Sequence, residues 1–164
     1  MSSSDRRTFL KLVAAVPLGA CGFTPAYAPG GPAAGLQGAI RPDDPTDKLG
    51  YDLVVALEAR LGRSAAPTYK LGYTITTDQT GVGITTSGAT TRYEVTGSIA
   101  YRLSDAATGT VLTSGTVNSF TSFSAAGSPV MTLTDEDAAR TRLMQLLADQ
   151  IVTRLIGTSG AWRK

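Results

Sequence analysis

Histidine is absent from all 164 residues, and cysteine occurs once, as Cys21. Without histidine there is no Ser-His-Asp or Cys-His mechanism, and the common zinc sites lose their usual ligands. A single cysteine leaves no internal disulfide to form. A spanning helix is missing as well. The N-terminal apolar run at residues 12–18 (LVAAVPL) is broken by Pro17, and a membrane crossing needs about 20 apolar residues. Gly81-Val82-Gly83 has neither the lysine nor the helix that follows in a phosphate loop. Carboxylates remain, but Asp135-Glu136-Asp137 reads as helix-start electrostatics and Asp43-Asp44 as solvated loop. An envelope hydrolase would need two carboxylates close in space at one end of a sheet. The composition therefore points to a protein that is not an enzyme, with no metal and no cofactor.

What the chain does have begins at its N-terminus. Arg6, Arg7 and Lys11 precede the short apolar run, which together fit a cleaved signal peptide over residues 1–20. The paired arginines and the Thr8-Phe9-Leu10-Lys11 that follow resemble a twin-arginine export signal, with Asp5 where Ser or Thr is usual. Ordinary secretion with two adjacent arginines fits equally well. Leu18-Gly19-Ala20-Cys21 resembles a lipobox, which makes Cys21 the lipidation site. Two or more acyl chains would hold it firmly to a membrane, at about 0.8 kcal/mol per buried methylene. Gly22 follows Cys21 where in some bacteria an Asp would retain the protein at the inner membrane, which permits outer-membrane sorting. Of 15 Lys+Arg and 13 Asp+Glu, three basic residues and Asp5 lie in the signal, leaving twelve of each in a mature chain of formal charge zero. Nucleic acid, which demands a basic footprint, is not an expected partner.

Residues 21–35 are uncharged and rich in Pro, Gly and Ala, as expected of a lipidated tether. Residues 36–41 (LQGAIR) predict a short first strand ending at Pro42. Over residues 48–61, Leu49, Leu53, Leu57 and Leu61 form one helical stripe, with Asp47 as cap and Gly62 as stop. In 69–77 the period becomes two, with Tyr69, Leu71, Tyr73 and Ile75 on one face. Residues 78–89 hold three glycines and predict a mobile loop or an irregular hairpin end. Alternation from Thr91 to Leu103, turn residues at 105–110, and a partner strand from Val111 to about Phe123 predict a central hairpin. Gly97 and Gly115 in its interior allow a bulge or a close approach. Thr134 and Asp137 resemble a capping box opening a long helix, with Ala139, Leu143, Leu147, Ile151 and Leu155 inward, Leu146 widening the stripe, and Gly157 as its end. The expected body is thus a single α+β domain over residues 36–158, a two-layer sandwich of two helices on a mostly antiparallel sheet of about four strands. Residues 159–164 are expected to be a flexible end.

The polar sheet face is paved with Thr and Ser, plus Lys70, Arg92 and Arg102. Cations there suit lipid phosphates, and small hydroxyls suit a closely approaching partner wall. Tyr51, Tyr93, Tyr101, Phe120 and Phe123 are expected to pack in the core or at the sheet edge.

Four segments, taken in order, resemble the LptE family of lipopolysaccharide-assembly lipoproteins. They are Cys21-Gly22-Phe23-Thr24-Pro25-Ala26-Tyr27, the helix KLGYDLVVALEARL, and the strand pair TTRYEVTGSIAYRLSDAATGTVLTSGTV followed by the helix DEDAARTRLMQLLADQIVTRL. The resemblance implies a plug inside the outer-membrane β-barrel LptD that assists its assembly and the insertion of lipopolysaccharide into the outer leaflet. It also implies Arg92 as the leading lipopolysaccharide contact, followed by Lys70 and Arg102. The alternative is a periplasm-facing lipoprotein scaffold of another envelope complex.

Overall fold

The order is β1 (Ile40–Pro42), α1 (Lys48–Leu61), β2 (Tyr69–Ile84), β3 (Thr90–Asp105), β4 (Val111–Ser124) and α2 (Pro129–Trp162). The computed structural model describes residues 27–163 apart from residues 32 and 87, so the signal segment and Cys21 lie outside the described residues. The strands form one sheet in the order β1-β2-β3-β4, antiparallel except for the parallel β1–β2 pair. Both helices cover one face, which gives the two-layer α+β sandwich. No described helix is long and apolar enough to cross a membrane.

α1 begins where the Asp47 carboxylate accepts the Gly50 N–H at 2.7 Å and ends at Gly62, whose φ of +76° suits glycine. The helices run parallel. Lys48 pairs with Asp137, the Thr141 hydroxyl donates to Asp52, and Arg60 pairs with Asp149, each contact 89 residues apart in the chain. The constant offset keeps one helix in register with the other along its length. Between helices and sheet lie Leu53, Leu57, Leu71, Ile99, Leu103, Leu143, Leu147 and Ile151, all fully buried, each contributing about 1.5–3 kcal/mol by leaving water.

Gly97 sits beneath α2, where an added Cβ would lie 3.0 Å from side-chain atoms of both Leu143 and Leu147. The glycine lets the helix approach closely. At Gly115 the cross-strand Tyr101 ring occupies the space a side chain would take, with its hydroxyl 2.8 Å from a built Cβ.

Several boundaries differ from the sequence expectation. The first strand is confined to Ile40–Pro42, and the chain before it makes turns that bury Ala33 and Leu36. Strand β2 does not stop at residue 77 but continues through the expected loop to Ile84, paired to β3 with irregularities at Gly81/Gly83 and Gly83/Ile84. Backbone pairing sustains it there without an apolar period. α2 begins at Pro129, not at the Thr134 box. Ser128 caps it by accepting the Met131 N–H, and Pro129 supplies a preset φ. The acidic residues consequently fall past the first turn, where Glu136 pairs with Arg140 at 2.8 Å and Asp137 with Lys48 at 3.0 Å. Gly157 does not end the helix. It runs on to Trp162, through residues expected to be flexible, because Trp162 packs edge-on against Tyr69 with ring centroids 5.3 Å apart. Burial of the Trp162 ring together with this contact offsets the cost of about 1 kcal/mol for each of the two helical glycines, Gly157 and Gly160. Among the aromatics, Tyr101 and Phe123 are buried and Tyr93 stacks on Phe123, but Tyr51 and Phe120 are 60% and 64% exposed. Leu146, expected in the buried stripe, is 43% exposed.

Candidate functional site

The face of the sheet turned away from the helices is uncovered. Its register places Lys70 opposite Ser104, and Gly72, Arg102 and Ser114 in one row. Next come the rows Thr74, Ala100, Thr116 and Thr76, Ser98, Asn118. Small side chains thus pave the middle of the face, and charge collects towards its ends.

One end carries a concavity of about 710 Å³ whose lining includes Asp43, Lys70, Arg102, Ser104, Asp105 and Ser114. Lys70 and Arg102 are exposed and make no ion pair among the described residues. Asp105 is engaged elsewhere. Its carboxylate accepts the N–H groups of Ala107 and Thr108 at 2.9 and 2.8 Å and the Thr108 hydroxyl at 3.1 Å, shaping the β3–β4 turn. The Thr108 and Ala107 amides, then that hydroxyl, hold its pKa below the ordinary carboxylate value. Under the sheet, burial raises the pKa of the Tyr73 phenol, helped by the nearby charges of Asp43, Asp47 and Asp44. It therefore stays protonated at neutral pH.

The three cations named from the sequence do not form one site. Lys70 and Arg102 share the concavity, while Arg92 lies ten residues further along β3, opposite Gly83 and Ser124. At about 3.3 Å per residue this separates Arg92 from Arg102 by roughly 33 Å. Sequence reading missed Asp43, whose carboxylate lies over Gly72, and the serines facing Lys70 and Arg102. Strand alternation carries the serines' position, but Asp43 reaches the face only through β1 pairing to β2.

Among the described residues there is no group of three or more His, Cys, Asp or Glu placed to hold a metal. Asp44 pairs with Arg41, whereas Glu136 and Asp137 pair on the helices, so these three acids are engaged in different places. The fold and face define an α+β sandwich with an open, polar, largely uncharged sheet. A sequence model of the LptE family, described as lipopolysaccharide-assembly, matches residues 38–155, and the chain belongs to that family. Membership supports an outer-membrane, lipid-anchored protein without catalytic function.

Solved structures share the fold at low identity. A putative lipoprotein from Caulobacter crescentus is 22% identical with a TM-score of 0.68, over 80% of this chain and 98% of that one. The rare lipoprotein B from Shewanella oneidensis is 10% identical with a TM-score of 0.55, over 74% and 95%. A minor lipoprotein from Acinetobacter baumannii is 16% identical with a TM-score of 0.54, over 73% and 89%. No functionally curated protein matches the sequence.

Proposed function

We propose that this chain is an outer-membrane lipoprotein, anchored through Cys21, that plugs and helps assemble the lipopolysaccharide-exporting barrel LptD and assists lipopolysaccharide insertion into the outer leaflet. The observation that carries the reading is the uncovered sheet face. Its central rows are small and hydroxylated, and residues 106–134, which include all of β4, contain no charged side chain. Those central rows can approach a polar barrel wall closely without burying an unpaired charge, which would be costly. Lys70 and Arg102 at one end and Arg92 at the other are two separate places for a glycolipid phosphate, by charge-assisted hydrogen bonds. The chain's task is then occupancy and guidance. No bond is made or broken.

Purification from envelopes in mild detergent through a tag after residue 164, with mass spectrometry of partners and of the N-terminal peptide, tests this. A barrel in one-to-one amount and an acylated Cys21 are expected. An acylated Cys21 without any barrel sinks the plug reading in favour of a scaffold in another envelope complex.

A further inference from the structure

β4 is a sheet edge, and its outer side is guarded unevenly by α2. Residues of an antiparallel strand alternate between bonding to the neighbour and turning both backbone groups away. The Thr116 and Asn118 carbonyls turn away from β3, since Arg154 Nη1 donates to Thr116 at 2.6 Å and Gln150 Nε2 donates to Asn118 at 3.0 Å. By the same alternation Phe120 and Ser122 also present their N–H and C=O groups outward.

The guards form one helical row. Four helical residues advance about 6 Å and two strand residues about 6.6 Å, so the pairings of 154 with 116 and 150 with 118 continue as 146 with 120 and 142 with 122. A groove of about 390 Å³ lined by Thr121, Ser122, Arg142 and Leu146, together with Gln145 and the Arg60–Asp149 pair whose charges offset each other, agrees with this register. At those two levels the guard fails. Leu146 has no donor to offer, and Arg142 is exposed and makes no hydrogen bond or ion pair among the described residues. Nor does the strand carry any of the charges that usually blunt an edge.

We propose that the edge at Phe120 and Ser122 accepts an extended, carboxylate-bearing segment of a partner protein, which adds as a fifth strand between β4 and α2. The main-chain groups supply pairing, and alternate side chains supply selection. On the helix side an apolar residue meets Leu146, and a carboxylate two residues away meets Arg142. Antiparallel addition, the more stable mode, orders these as acid, any residue, apolar. Phe120, exposed on the open face, covers the intervening residue. Arg154 and Gln150, already donating to the edge carbonyls, limit the addition at the next levels. The inference goes beyond the plug reading and does not depend on it, because any extended acidic segment satisfies it.

The test uses the full chain in detergent, labelled with nitrogen-15, and the peptide acetyl-Ser-Thr-Glu-Thr-Val-Thr-Ser-amide at millimolar concentration. Amide exchange at Phe120 and Ser122 is expected to slow several-fold. The peptide with Lys in place of Glu should have little effect, and Arg142→Glu should reverse the preference between the two peptides. Absence of protection at both amides overturns the proposal, as does equal protection by both peptides. Concentration-dependent protection without peptide also overturns it, by identifying a second copy of β4 as the occupant.

Discussion

The close approach of α2 to β3 at Gly97 makes a quantitative prediction. In Gly97→Val the new Cβ would begin 3.0 Å from Leu143 Cδ2 and Leu147 Cδ1 and 3.3 Å from Leu143 Cγ, whereas carbon atoms prefer about 3.5–4.0 Å. Leu143 and Leu147 are fully buried, so to move away they must displace other packed side chains. Overpacking of this kind costs about 1–3 kcal/mol, and the better strand propensity of valine returns up to about 1 kcal/mol. A net loss of about 1–2 kcal/mol is expected. Leu147→Ala alone should cost about 3 kcal/mol through lost burial and a cavity. In the double variant the valine occupies space vacated by the leucine, so its loss should fall short of the sum by at least about 1 kcal/mol. Urea unfolding of the purified protein in detergent, followed by far-ultraviolet circular dichroism, measures all three. Losses additive within about 0.5 kcal/mol, the range for independent sites, would refute the helix-against-glycine contact, as would a stabilising Gly97→Val.

Three further outcomes follow from named contacts. Trp162→Ala, which removes the edge-on contact with Tyr69, should destabilise the protein by about 3 kcal/mol; thermal melting would detect this, and an unchanged midpoint would mean that the last helical turn contributes nothing. Asp105 has a folded pKa below its unfolded value of about 3.9, so its stabilising effect is complete above that value and fades as pH falls through the folded pKa. A carboxyl-carbon NMR titration should place its midpoint below the ordinary range, and Asp105→Ala should flatten the acid end of the stability profile. Lys70→Glu together with Arg102→Glu should weaken lipopolysaccharide binding in a pull-down more than either substitution alone, since both line one concavity, whereas adding Arg92→Glu should act additively from its distant position.

Periodicity made the regular middle of each element legible. The leucines at 49, 53, 57 and 61 and the alternation in β2 and β3 are direct consequences of one-sided burial, and they were sufficient for the fold class. The ends were less legible because other forces set them. Ser128 and Pro129 start α2 through backbone geometry before any apolar stripe begins, and β2 continues to Ile84 through ladder bonds that glycine and threonine make as well as valine does. The candidate site divides in the same way. Alternation identified Lys70, Arg92 and Arg102 as face residues, but it carries no information about which residues across strands share a row.

The sequence alone determined the exclusions and the architecture. Residue chemistry and periodic burial are local properties, so the missing histidine, the two stripes and the one-sided strands were decisive without coordinates. Tertiary structure alone decided that Lys70 and Arg102 line one concavity while Arg92 stands apart, that Leu146 is left uncovered, and that the strand edge is guarded at Thr116 and Asn118. Each depends on strand register or helix position, which the chain sets through long-range packing and backbone pairing that no short stretch of residues encodes.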